Sequence, residues 1–273
     1  MSYKQYVPST SQDWDTYWTQ TSIQAEYQKA QTDGLKPIFK KYLKKTAINL
    51  EAGCGLGKWL TYLGRQRYSI IGLDTYVKGL VQLHRHNPDF QLMAGDVNHL
   101  GILSGSIDTY ISLGVVEHFE SGPQPALQEA FRVTKKGGLA IIEVPFDSPL
   151  RRLDRFLYRL KVLFKLPVKL LVETLGLRQP RPQTSYVFYE YRYTQKELIG
   201  FIQAAGFELI ELLPKDDLDP QRSISLWSDY PRFRRSQTEV FNLNSSGRLA
   251  KRLLHSLSPF SYPALIVAIC TKP

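Results

Sequence analysis

The chain has 273 residues, 43% of them hydrophobic, which suits one large domain or one domain carrying an insertion. No apolar run reaches the roughly 18 residues of a membrane span. The two cysteines have neither zinc nor disulfide spacing, so a reducing cytoplasmic home is expected. A net charge of +10 leaves nucleic acid, an anionic membrane or an acidic substrate open as partners, so the placement of the charge has to decide.

Residues 1–45 begin without the apolar core of a signal peptide. Trp14, Tyr17 and Trp18 share a helical face among Ser, Thr and Gln, which predicts a short helix. A second helix is predicted over 35–45, with Ile38, Phe39, Tyr42 and Leu43 on one face and lysines elsewhere.

Residues 46–58 are the segment around which the chain is organised. Thr46–Leu50 favours a strand, Glu51 ends it, and glycines follow at 53, 55 and 57. Trp59, Leu60, Tyr62 and Leu63 then recur at helical spacing. This predicts a strand, a tight turn and a helix. Glycine lets such a turn take positive φ and lets backbone approach a ligand closely, while N–H groups at the helix start face that ligand. The dinucleotide fingerprint G-x-G-x-x-G would need glycine where Lys58 stands. Glu-x-Gly-x-Gly-x-Gly instead resembles the first motif of class I S-adenosylmethionine (SAM) methyltransferases. The resemblance implies a doubly wound, mostly parallel seven-stranded α/β sheet. It places Glu51, Gly53, Cys54, Gly55 and Gly57 at the cofactor, with Glu51 suited to its ammonium group.

The following elements keep that order. Ser69–Leu73 is a predicted strand ending at Asp74, twenty-odd residues after Glu51, where a carboxylate can take both ribose hydroxyls. The alternative is that Asp74 caps the next helix, over 77–86. Phe90–Ala94 predicts a third strand, and Gly95-Asp96-Val97 matches the family segment that meets adenine. As an isolated feature it would be an ordinary Asp turn. Thr75 and Val97 join the expected cofactor set. Ile107–Leu113 predicts the fourth strand, ending at Leu113 and Gly114, which are also assigned to the cofactor.

Val115-Val116-Glu117-His118-Phe119 follows. A Glu-His pair here resembles the ubiquinone-biosynthesis group of methyltransferases. In that group's pattern His118 would stand near the departing methyl, where it could deprotonate a phenol of pKa ~10. The pair could instead orient the next helix. A helix over 125–134, the Lys135-Lys136-Gly137-Gly138 turn and a fifth strand over 139–144 continue the resemblance. Thr194 and Glu197 predict a capping box opening a helix to Ala205, then a sixth strand over 206–212. Pro263–Cys270 predicts a last strand, expected antiparallel between the fifth and sixth.

Four segments are therefore expected: an N-terminal helical lid (1–45), a SAM-binding core (46–145), an inserted substrate segment (146–193) and a C-terminal completion of the sheet (194–273). In the insertion, Leu150, Leu153, Phe156, Leu157, Leu160, Leu163 and Phe164 have helical spacing among arginines and lysines. Pro167 should interrupt that helix, with a short apolar helix resuming over 170–177. A basic helix with an aromatic apolar face can lie in a membrane interface, so peripheral contact through 149–178 is an expectation, set against ordinary core packing. Tyr186–Tyr193 is an aromatic strand candidate that could line a lid or stack bases. Nucleic acid is disfavoured, because no recognition motif accompanies the charge. Residues 214–261 carry no legible chemistry.

The expected activity is methyl transfer from SAM to a small, lipid- or quinone-like acceptor. Trp18, Glu117, Tyr189 and Tyr191 are the candidate acceptor contacts, and no metal is expected. The alternatives are a non-enzymatic SAM-binding protein on the same fold, an RNA or protein methyltransferase, and an NAD-dependent oxidoreductase, against which Lys58 and Asp96 argue.

Overall fold

A computed structural model describes residues 2–8, 14–174 and 185–273. The chain opens with β1 (Tyr3–Pro8), α1 (Trp14–Thr19), α2 (Ile23–Ala30) and α3 (Leu35–Tyr42). The core continues through β2 (Asn49–Ala52), α4 (Lys58–Arg65), β3 (Ile70–Asp74), α5 (Val77–His86), β4 (Gln91–Ala94) and β5 (Ile107–Leu113). Next come α6 (Gln124–Val133), β6 (Thr134–Pro145), α7 (Pro149–Thr174) and β7 (Tyr186–Arg192). The chain ends with α8 (Gln195–Ala204), β8 (Glu208–Lys215), α9 (Ile224–Asp229), α10 (Ser245–Leu257) and β9 (Leu265–Thr271).

Seven strands form one sheet in the order β4-β3-β2-β5-β6-β9-β8. The pairs from β4 through β6 are parallel, and β9 runs antiparallel to both β6 and β8, as the resemblance implied. The central strands are apolar because both faces are covered. One cluster includes Leu50, Tyr110, Ala140, Ile142 and Ala268, and the opposite one Leu60, Ile111, Ile141, Val267 and Ile269. Adjacent residues such as Ile141 and Ile142 therefore supply opposite cores. The strand order reverses between β2 and β5, and ligands of such sheets bind beyond the strands' carboxyl ends at that point.

Most boundaries lie within two or three residues of the sequence reading. The Thr194 cap is complete: its hydroxyl accepts from Glu197 N–H, and the Glu197 carboxylate accepts from Thr194 N–H at 2.9 Å. Four features differ. β6 begins at Thr134, so the strand takes in the expected turn at 135–138. β1 is a strand, not part of a helical segment, and pairs antiparallel with β7, so residues 1–45 and the segment 146–193 share a two-stranded sheet. α7 runs unbroken through Pro167 for 26 residues. A helical proline removes one N–H bond and bends the turn before it, and need not end the helix. The expected stretch 175–177 lies outside the described residues. Residues 214–261, unreadable in sequence, form α9 and α10, and Leu226 and Leu243 make a small core with Tyr262.

Behind the sheet, Lys215 Nζ lies 3.1 Å from both Asp33 and Glu143, and Lys58 also pairs with Asp33. Burial opposes ionisation of Asp33, yet Lys215 and Lys58 hold its pKa down at about 2. This contribution is present above the ordinary Asp value and is lost as pH falls towards 2. Burial pushes the Glu143 carboxyl up despite Lys215. Removing a member of a buried ion cluster strands its partners, which costs about 3–5 kcal/mol. Lys215→Met should lower unfolding free energy by about that much at pH 7 in urea titrations. The deficit should shrink at pH 5, because carboxyls stranded with raised pKa are relieved by protonation. A deficit under about 1 kcal/mol, or one that grows in acid, would contradict the cluster's role.

Candidate functional site

The turn between β2 and α4 is built from backbone that a side chain would disrupt. Gly53, Gly55 and Gly57 have φ of +89°, +52° and +68°. A Cβ at Gly53 would come 2.3 Å from Val115, and one at Gly55 would come 2.5 Å from the Trp18 ring. The turn is strapped to the neighbouring strand: Gly53 and Cys54 N–H donate to the Leu73 carbonyl at 2.7 and 3.0 Å.

Two carboxylates complete the hold, and they do different work. Asp74 accepts from Gly55 N–H at 2.6 Å and from Tyr76 N–H at 2.8 Å. It lines the cleft, and the two oxygens of a carboxyl group can accept more than two hydrogen bonds, so capacity remains for ribose hydroxyls. Glu51 is only 4% exposed and lies beneath the turn, where it accepts from Leu60 N–H at 2.9 Å, in the first turn of α4. Burial pushes its carboxyl up to about 8, against the pull of that N–H and of Lys58. The carboxyl therefore carries a proton at pH 7 and serves first as a cap.

Above the turn is a cleft of about 360 Å³. It brings together Trp18, Gly53, Asp74, Thr75, Asp96, Val97, Gly114 and His118 from the sequence-predicted set. It does not include Glu51, Cys54, Gly55, Gly57 or Leu113, which lie under or beside it. Cys54 is buried, and its thiol is pushed up by that burial. Leu113 packs into the core face behind. Tyr76, Val115 and Phe119 also line the cleft and had no role in the sequence reading. The available signal for Tyr76 was its place two residues after Asp74, in the turn into α5. Trp18 reaches the cleft from α1 and stacks on Tyr76, with ring centroids 6.5 Å apart. Asp96 accepts from Asn98 N–H at 2.9 Å, so its turn is locally fixed while the residue stays exposed.

His118 follows β5 in a short 3-10 turn, Val116–His118. Its Nδ1 lies 2.8 Å from the Tyr189 carbonyl of β7. A carbonyl only accepts, so Nδ1 carries the hydrogen and the neutral ring keeps its lone pair on Nε2. Burial pushes the His118 pKa below its ordinary value, although the Tyr189 bond and Glu190 favour the charged form. The imidazole is therefore neutral at pH 7.

The remaining acceptor candidates surround this group. Glu117 is buried 3.8 Å from His118 Nε2, and burial pushes its carboxyl well up. Tyr189 meets the His118 ring edge-on at 5.4 Å. Tyr191 stacks on Tyr193, and its hydroxyl donates to the Glu120 carbonyl at 2.9 Å. It braces the β7 strand and is absent from the cleft lining.

These residues fit SAM chemically. A ribose needs paired acceptors, which Asp74 supplies. An adenine needs an acceptor and an apolar floor, which Asp96 and Val97 supply. Bare backbone at Gly53 permits close approach.

Residues 50–142 match the model of a family described as a methyltransferase domain. The mouse tRNA (carboxymethyluridine(34)-5-O)-methyltransferase ALKBH8 is 36% identical over 108 residues, covering 39% of this chain and 16% of that protein. The demethylmenaquinone methyltransferase of Paenarthrobacter aurescens is 32% identical over 126 residues, covering 44% of this chain and 46% of that protein. The chain thus spans less than half the length of either relative. A SAM-dependent methyltransferase structure from Methanosarcina mazei superposes with a TM-score of 0.55 at 18% identity, covering 87% of this chain and 98% of that one, and so shares the fold. Residues 50–142 therefore match a methyltransferase domain, carried on a fold shared with SAM-dependent methyltransferases, and SAM is the cofactor that match implies.

Replacing Asp74 by Ala should weaken SAM binding more than tenfold by titration calorimetry, a change of about 1.4 kcal/mol. An unchanged affinity would remove Asp74 from the ribose site.

Proposed function

We propose that the chain methylates a small, lipid- or quinone-like acceptor, with SAM as donor and His118 as the base that readies the acceptor oxygen. The observation that carries this reading is His118: a neutral imidazole, tautomer set by Tyr189, on the cleft wall beside Val115 and Phe119. SAM supplies an electrophilic methyl on a sulfonium, and the protein supplies position and dryness. Gly53 and Asp74 fix one end of the nucleoside, Asp96 and Val97 the other. Trp18 and Tyr76 cover it. An acceptor held beside His118 would lose its proton to Nε2, and the imidazolium would be steadied by the Tyr189 carbonyl. Holding reactants in line and excluding water is the main source of rate for such a transfer. Val115 and Phe119 give the cleft wall beside His118 an apolar and aromatic character, which suits a ring or chain better than a charged acceptor.

One relative favours a second reading. The similarity to the mouse tRNA methyltransferase, together with the net charge of +10, supports a tRNA acceptor. Labelled methyl groups from SAM, offered with a quinol and lipid extract and separately with bulk tRNA, separate the readings. Label in the organic phase supports the first and label in tRNA the second. SAM binding without any transfer supports a binding protein.

His118→Gln should lower kcat by about a hundredfold or more, with SAM affinity within about twofold of wild type. The wild-type rate should fall only on the acid side of an apparent pKa below the ordinary imidazole value of about 6.5, because burial lowers it. That acid limb should vanish in His118→Gln. A variant with unchanged kcat would leave His118 with a supporting role alone.

A further inference from the structure

Helix α7 leaves the sheet at the carboxyl end of β6, the edge that carries the cleft. Its base is firmly held. Arg151 is buried, donating to Asp229 at 2.6 Å and to the Phe146 carbonyl at 2.8 Å, and Arg155 pairs with Asp147. From Phe156 to Phe164 every residue is exposed. The helix therefore projects from the body, and packing against the core, one of the two sequence-level alternatives, does not account for its apolar side chains.

All of those side chains but Tyr158 and Val162, which are exposed on the opposite face, are ordered. At 3.6 residues per turn, Leu153, Phe156, Leu157, Leu160, Leu163 and Phe164 fall in one stripe about 120° wide. Exposure within the stripe reaches 57% at Phe156, 62% at Leu163 and 78% at Phe164. Arg152 and Arg159 border it on one side and Lys161 on the other. Asp154 is the lone acid between Pro149 and Phe164 and lies beyond Lys161, away from the stripe.

We infer that α7 is a membrane-surface anchor that lies in the headgroup layer of an anionic bilayer. The stripe would enter the acyl boundary, and Arg152, Arg159 and Lys161 would meet lipid phosphates at its two edges. Cations along both edges of an apolar stripe complement such a surface. A second copy of α7 laid on the first would bring like charges together, which disfavours a dimer through this face. Among the described residues no helix is long and apolar enough to cross a membrane, so the contact would be peripheral. Because α7 starts at the cleft-bearing edge, docking would bring that edge to the lipid. The inference concerns the surface of α7 and stands whichever acceptor the cleft takes.

Co-sedimentation of the full chain with vesicles of phosphatidylcholine alone, or mixed equally with phosphatidylglycerol, tests it. Wild type should bind the anionic vesicles at least tenfold more tightly than the neutral ones, and high salt should release it. The triple variant Phe156→Glu, Leu163→Glu, Phe164→Glu should lose at least tenfold in vesicle affinity. So should Arg152→Glu, Arg159→Glu, Lys161→Glu. Both variants should bind SAM as wild type does, which shows that the fold is intact. Wild type left in the supernatant, or variants that sediment equally well, would overturn the inference. Failure to bind vesicles, joined to a dimer that the apolar triple variant splits in analytical ultracentrifugation, would assign the stripe to a second copy instead.

Discussion

The structure depends on how one stretch of backbone is held. Between β2 and α4 the chain turns through three glycines with positive φ, and a turn of that shape leaves N–H groups without helical partners. Asp74 takes one from the ligand side, Glu51 takes another from below, and the Leu73 carbonyl takes two more. The parallel register of β2 with β3, which sets Ala52 opposite Leu73, brings these partners to the same level. Each strand contributes one carboxylate, and the turn is rigid before any ligand arrives.

That division of labour explains why two similar acids have dissimilar properties. Asp74 stands in the cleft wall, accepting from N–H groups on one side and bordering the cleft on the other. Glu51 lies in the protein interior, where loss of water holds its proton on at neutral pH. The same physics sets His118. Loss of water lowers its basicity, a carbonyl fixes its tautomer, and a neutral ring faces the cleft. β7 supplies that carbonyl, so the strand pair β1–β7 meets the cleft wall at His118.

Elements fixed by local pattern were legible in the sequence. The glycine turn, the acidic strand ends at Asp74 and Asp96, the Thr194 capping box and the apolar β9 each follow from neighbouring residues. Long-range partnerships were not legible. Nothing near Tyr3 announces that it pairs with Arg192, and the polar stretch after β8 shows its small core only when Leu226, Leu243 and Tyr262 meet. The type of residue at a strand tip was also readable, but not which way it points. Glu51 and Asp74 occupy equivalent places in the pattern, yet one caps a helix from beneath and the other borders the cleft. Pro167 does not end α7, since a helix loses a single bond there.

The central claim is that the tips of β2, β3, β4 and β5 form one nucleoside site. A crystal structure with S-adenosylhomocysteine bound tests this most directly. Ribose hydroxyls should lie on Asp74, adenine between Asp96–Val97 and the aromatic cover, and the amino-acid end over Gly53. Density for the ligand in a different cavity, or a cleft still filled by Trp18 at saturating ligand, would contradict it.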